Sequence, residues 1–119
     1  MLYVSGHVPM KADGYLISGK LGVDMDTARG REAAAIAALN ILATLKEAVG
    51  LENVVQVHKV TGYVSCGPDF LNQPAVLNGA SDLLVEVLGD RGKHARSAVG
   101  SNALPLGVPV EIEAIVEVK

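Results

Sequence analysis

Arg96, within Ala95 to Ala103, and Glu111 and Glu113, within Val108 to Val118, put charges inside otherwise apolar stretches of the last quarter of this 119-residue chain. Arginine presents a planar, permanently charged fork that grips a carboxylate through two parallel hydrogen bonds. A glutamate can hold a water molecule and carry its proton. Together they have the means to fix a small acid and bring water to it. The same three residues would equally make an ordinary cross-strand ion pair.

The register between their strands separates these readings. Val108, Val110, Ile112, Ala114, Val116 and Val118 alternate with Pro109, Glu111, Glu113, Ile115 and Glu117, the pattern of a half-buried strand with carboxylates on one face. If Leu104 to Gly107 closes a tight hairpin centred near Pro105 and Leu106, Arg96 lies opposite Ile115 and shares a face with Glu111 and Glu113. Glu113 is then the near diagonal neighbour, and Glu111 sits roughly 13 Å further along at about 3.3 Å per residue. That makes Glu113 the structural partner and Glu111 the freer carboxylate, unless a bulge or a neighbouring subunit intervenes.

The elements that must position these residues follow from the rest of the chain. Leu2 to Val8 reads as a strand ended by Pro9, with Tyr15 to Ser18 as its return partner in an opening hairpin. Asp24 to Val49 reads as a long helix with a Leu39, Leu42, Leu45, Val49 stripe and Gly50 as its stop. Asn53 to Cys66, rich in valine, reads as a strand of imperfect alternation. Pro74 opens a second helix, with Leu77, Ala80, Leu84 and Val87 at helical spacing up to Gly89. This order predicts a single α+β domain spanning residues 1–119, with both helices against one face of a mixed sheet.

Composition narrows the function. Half the residues are hydrophobic yet only 3% are aromatic, more apolar content than so small a domain readily hides, which favours an oligomer. A net charge of -3 and the lack of a Lys/Arg run make nucleic acid an unfavoured partner. Cys66 is the single cysteine, read as a small buried hydrophobe, and His7, His58 and His94 have no ligand spacing among themselves or with it, so neither metal nor cofactor is expected. With no leader-like or membrane-length apolar run, the expectation is a soluble cytoplasmic protein without a membrane partner.

The motifs LYVSGHVP, ALNILATLKEAVG, VVQVHKVTGYV, DF…VLNGASDLLVEVLG and ARSAVG…LPLG.PVEIEAI run along nearly the whole chain. Together they resemble the reactive intermediate deaminase (Rid) or YjgF-type family, also known as the L-PSP endoribonuclease family. The resemblance implies a chorismate-mutase-like fold and a homotrimer with a ligand pocket in each cleft between subunits. It implies hydrolysis of enamines and imines, such as 2-aminoacrylate, to 2-keto acids and ammonia, without a cofactor. By the same match Arg96 grips the substrate carboxylate and Glu111 handles the attacking water. Ser5, Gly6 and Asn78 fall on positions that line the pocket. Ala98 stands where many members that act on 2-aminoacrylate carry cysteine, and His7 where glutamine is common. The NQPAVLNGASDLLVEVLG run is also unusual, and the segment that can contribute a pocket tyrosine ahead of the first strand is not in this chain. The His7 and NQPAVLNGASDLLVEVLG departures indicate a divergent subgroup. The competing expectation is a non-catalytic trimer that binds 2-keto acids or related carboxylates. An endoribonuclease or translation-inhibiting role is disfavoured by the acidic balance.

Overall fold

A computed structural model describes all 119 residues. The second strand of the sheet, β2 (Val54–Ser65), lies in its interior and pairs on both edges. On one side it runs antiparallel to β4 (Val110–Val118), which in turn pairs antiparallel with β1 (Leu2–His7). On the other it runs parallel to β3 (Ala95–Ser101), giving the spatial order β1-β4-β2-β3. Two helices, α1 (Thr27–Ala48) and α2 (Gln73–Leu88), pack against the sheet. The expected α+β architecture is present.

Alternation decides which face the helices cover. Val110, Ile112, Ala114 and Val116 of β4 and Val60 and Val64 of β2 are buried, and burying each Val or Ile side chain contributes about 1.5–3 kcal/mol. Their alternates Glu111, Glu113, Thr61 and Tyr63 remain half exposed. The imperfect alternation of β2 has a local cause, two register shifts between Val54 and Gln56 and between Val57 and Lys59.

The helices approach closely because their contact faces are small. Asp26 caps α1 by accepting from the Arg29 amide at 2.9 Å, and Gly30, Ala33, Ala34, Ala37 and Ala38 form its buried stripe with Ile41, Leu42 and Leu45. Leu39, expected in that stripe, is 54% exposed, and Val87 of α2 also faces out. The alanine face wins over the leucine spacing because it lets the backbones come nearer. Gly79 carries this furthest: a Cβ there would stand 2.1 Å from the Arg31 carbonyl oxygen.

Two expectations about strand pairing are corrected. Tyr15 to Ser18 forms no return strand; a lone Met10–Leu16 bridge is all that remains of the hairpin. The segment is drawn instead to the far end of β2, with Ile17 and Leu21 buried and the Leu21 amide donating to the Ser65 carbonyl at 2.9 Å. Likewise β3 and β4 make no hairpin, because β2 lies between them. Helix α2 is a crossover that returns β3 parallel to β2. The connection beyond β3 then steps across the end of β2, where the Cys66 amide donates to Ser101 and the Ser65 amide to Pro109. A turn through Pro105–Gly107, with Leu106 at φ 62° and Gly107 at φ 70°, makes that step. No helix is long and apolar enough to cross a membrane.

The Gly79 contact sets a test of the helix layer. Gly79→Ala forces α1 and α2 apart, with an expected loss of about 1–3 kcal/mol. It is read as a lower denaturant midpoint at unchanged slope.

Candidate functional site

Arg96 pairs in register with Val60, so its side chain is on the helix-covered face. Its Nη1 donates to Asn78 Oδ1 at 2.9 Å and to Ser81 Oγ at 3.1 Å. Asn78 and Ser81 are three residues apart on α2 and therefore present neighbouring side chains to one guanidinium. Ser81 Oγ also lies 2.9 Å from His94 Nε2, while His94 Nδ1 donates to the Gly92 carbonyl at 2.5 Å. The Arg96 Nε and Nη2 edge has no protein partner, nor does the Asn78 amide nitrogen. A cavity of about 290 Å³ lined by Ser81, Val85, Lys93, His94 and Arg96 adjoins this network. Because β3 is an edge strand, the cavity lies at the rim of the sheet.

Glu111 and Glu113 occupy the other face. They pair with Tyr63 and Thr61, whose side chains point away from the helices. The hairpin-based expectation that Arg96 shares their face and has Glu113 as its diagonal partner is therefore wrong. Inserting β2 changed both the neighbour and the face.

The two carboxylates are held differently. Tyr63 Oη donates to Glu113 Oε1 at 2.9 Å. This bond, together with the Glu113 charge, burial and the Glu111 charge, raises the Tyr63 phenol above the ordinary tyrosine range. Glu111 has no hydrogen-bond partner and its side chain lies over Gly6, where a Cβ would come within 2.7 Å of the carboxyl carbon. The sheet irregularity between Val4 and His7 sets Gly6 at that point. Ser5 is exposed beside them and, with Tyr3, Lys59, Thr61, Glu113 and Ile115, lines a second cavity of about 270 Å³. Lys59 Nζ donates to Ser97 Oγ at 2.9 Å across the same face.

The predicted residues thus fall into two groups, Arg96 with Asn78 on one face and Glu111 with Gly6 and Ser5 on the other. Sequence reading missed Ser81, Tyr63 and the engagement of His94. The first was available from its spacing to Asn78, and the second from its place in the alternation of β2. His7 and His58 are occupied elsewhere, by Thr44 Oγ1 and Glu117 at 2.8 Å each. Cys66 is buried with Gln73 Nε2 at 3.6 Å from its sulfur.

Comparison with known proteins bears on this arrangement. The family described as "YjgF/chorismate_mutase-like, putative endoribonuclease" matches residues 1–117. Protein TCP17 of Trypanosoma cruzi is 41% identical over 118 residues, 98% of this chain and 74% of that protein. The crystal structure of Atu1372 from Agrobacterium tumefaciens, a protein of unknown function, superposes with a TM-score of 0.95 at 45% identity, covering 98% of this chain and 75% of that one. Yeast Mmf1 superposes with a TM-score of only 0.64 at 27% identity, covering 98% and 77%. The gap between these scores agrees with a branch that has diverged within a shared fold. The chain belongs to the YjgF/chorismate-mutase-like family, the Rid family that its motifs resemble.

Proposed function

We propose that the protein is an imine and enamine deaminase whose site is completed between subunits of a homotrimer, with Arg96 from one subunit and Glu111 from the next. The observation that carries this reading is the placement of the two side chains on opposite faces of one sheet. Neither can meet a shared small molecule within a single chain. An adjoining subunit that covers the uncapped face and abuts the β3 rim would bring them together. The apolar groups left on that face, Tyr3 at 82% and Val99 at 43% exposure, favour such cover.

In this reading the free Nε and Nη2 edge of Arg96 takes both oxygens of the substrate carboxylate. Asn78 and Ser81 fix the guanidinium from behind. Glu111 accepts a proton from water as the water oxygen bonds to the carbon of the protonated imine, giving a neutral carbinolamine. It returns that proton to the nitrogen, then takes the hydroxyl proton as the carbon–nitrogen bond breaks to leave a 2-keto acid, and hands it to the departing ammonia as ammonium. Glu113, tied to Tyr63, is the less mobile carboxylate and supplies none of this chemistry. Cleavage of RNA finds less support: Arg29 and Lys93 are paired with Glu32 and Asp90, and acidic residues outnumber basic ones by 13 to 10.

The test generates an imine in situ with an amino-acid oxidase and traps it with semicarbazide. Wild-type protein accelerates imine loss, whereas Arg96→Ala and Glu111→Gln each lower the rate at least about a hundredfold. Co-refolding the two variants in equal amounts yields sites that combine both intact side chains one time in four, so about a quarter of the activity returns. Failure of the mixture to recover rejects the intersubunit site. Wild type that binds a 2-keto acid without accelerating imine loss is a carboxylate-binding protein instead.

Gly6→Ala pushes against the movable end of Glu111 rather than against backbone. Deaminase activity falls sharply while the unfolding temperature changes by no more than about 2–4 °C, read by kinetics beside a thermal melt.

The Tyr63 bond gives a third expectation. Raising the folded phenol favours its protonated form, so this contribution to stability is complete below the unfolded tyrosine pKa of about 10 and is lost as pH climbs through the folded value. In a Tyr3→Phe, Tyr15→Phe background, Glu113→Gln lowers the pH at which phenolate absorbance appears.

A further inference from the structure

His94 stands in for no group in the mechanism above, yet it is joined to Arg96 through a single hydroxyl. The direction of each bond in that chain is fixed by what the atoms can do. A carbonyl only accepts, so the Nδ1 facing Gly92 carries a hydrogen. In the neutral imidazole Nε2 is then an acceptor, and the Ser81 hydroxyl spends its hydrogen on it. Arg96 Nη1 donates into the same oxygen. Every member is satisfied, and Ser81 has no hydrogen to offer a ligand.

Protonating His94 reverses one bond. Nε2 now donates to Ser81 Oγ, which receives from both His94 and Arg96 and has its own hydrogen released. One further positive charge arrives two hydrogen bonds from the guanidinium. The neighbours do not cancel it. Arg96 and Lys93 line the same cavity; Asp90, the carboxylate on the preceding turn, is paired with Lys93 at 2.9 Å. Helix α2 contributes Ser81 and Val85 to that cavity, neither of which titrates, and Gln56 of β2 donates to the Lys93 carbonyl.

We infer that His94 is a proton-linked positioning residue for the anion held by Arg96: carboxylate binding takes up a proton at His94, which acts on the guanidinium through the Ser81 hydroxyl. The inference rests on the carboxylate-binding reading of Arg96. Its sign is definite, because an anion favours the charged imidazole and the charged imidazole favours the anion equally. One charge at a separation of roughly 6 Å in a solvent-rich site changes affinity about three- to tenfold.

The experiment uses pyruvate, which remains ionised throughout, and measures its binding to the intact protein by calorimetry at about pH 8 and about pH 5.5, on either side of ordinary histidine titration. Wild type is expected to bind about three- to tenfold more tightly at the lower pH, with proton uptake seen as a dependence of the heat on buffer ionisation enthalpy. His94→Gln loses that dependence. In wild type alone, the NMR titration of the His94 ring moves upward by roughly half to one pH unit when pyruvate is added. An equal pH dependence in His94→Gln and wild type, or a His94 titration unmoved by pyruvate that does bind, overturns the inference and leaves the carboxylate site standing. Absence of pyruvate binding at both pH values, with the trimer intact, overturns that site as well.

Discussion

The arrangement of this molecule depends on β2 spending both of its edges. A central strand must satisfy two rows of backbone donors and acceptors, and here one row is met by the parallel β3 and the other by the antiparallel β4. Residues that pair across a common strand inherit their facing from it. Val60 pairs with both Arg96 and Ala114, and Tyr63 with both Val99 and Glu111. The opposition of Arg96 and Glu111 is therefore imposed by β2, and neither side chain can be moved to the other face without shifting a whole strand by one residue.

The helix layer serves the same site from the other direction. Small residues on α1 allow α2 to lie close enough that Gly79 nearly touches the Arg31 carbonyl. The residue before Gly79 is Asn78 and two beyond it is Ser81, so the tightest point of helix packing is also where the guanidinium is anchored. Rigidity there limits the wandering of an otherwise flexible arginine, which would lower the entropy lost on gripping the carboxylate proposed for it. On the opposite face the site takes the reverse form. Gly6 leaves a hollow in which Glu111 lies without a fixed partner.

Much of this was legible in the sequence because it is local. The burial alternation of β4, the extent of β2 and the proline opening α2 depend on periods of two and 3.6 and on punctuation by Gly and Pro, whereas Arg96, Asn78 and Glu111 were singled out by the family resemblance of the motifs that hold them. Strand order is not local. The geometric argument for Glu113 as the partner of Arg96 assumed that consecutive strands pair, and nothing in residues 95–118 signals that a strand from residues 54–65 lies between them. Leu39 fell outside the buried face for a related reason: its spacing is helical, but only tertiary contact reveals that alanines and a glycine join Leu42 and Leu45 in the closer interface. Ser81 and Tyr63 escaped notice because spacing to Asn78 and place in the β2 alternation mark a position, and a role follows only once the partner is known.

The edges of the sheet carry a consequence for the proposed trimer before it assembles. β3 at one rim and β1 at the other contain neither lysine nor proline, the residues that usually deter stray strand addition, and β3 closes on Gly100 and Ser101, offering little steric obstruction. An unassembled chain would thus present two adhesive borders to whatever else is being synthesised nearby. Any substitution that weakens subunit association would then surface in a cell as insoluble or rapidly degraded protein. Alleles of that kind would be scored as defects of abundance, although Arg96 and Glu111 are unchanged.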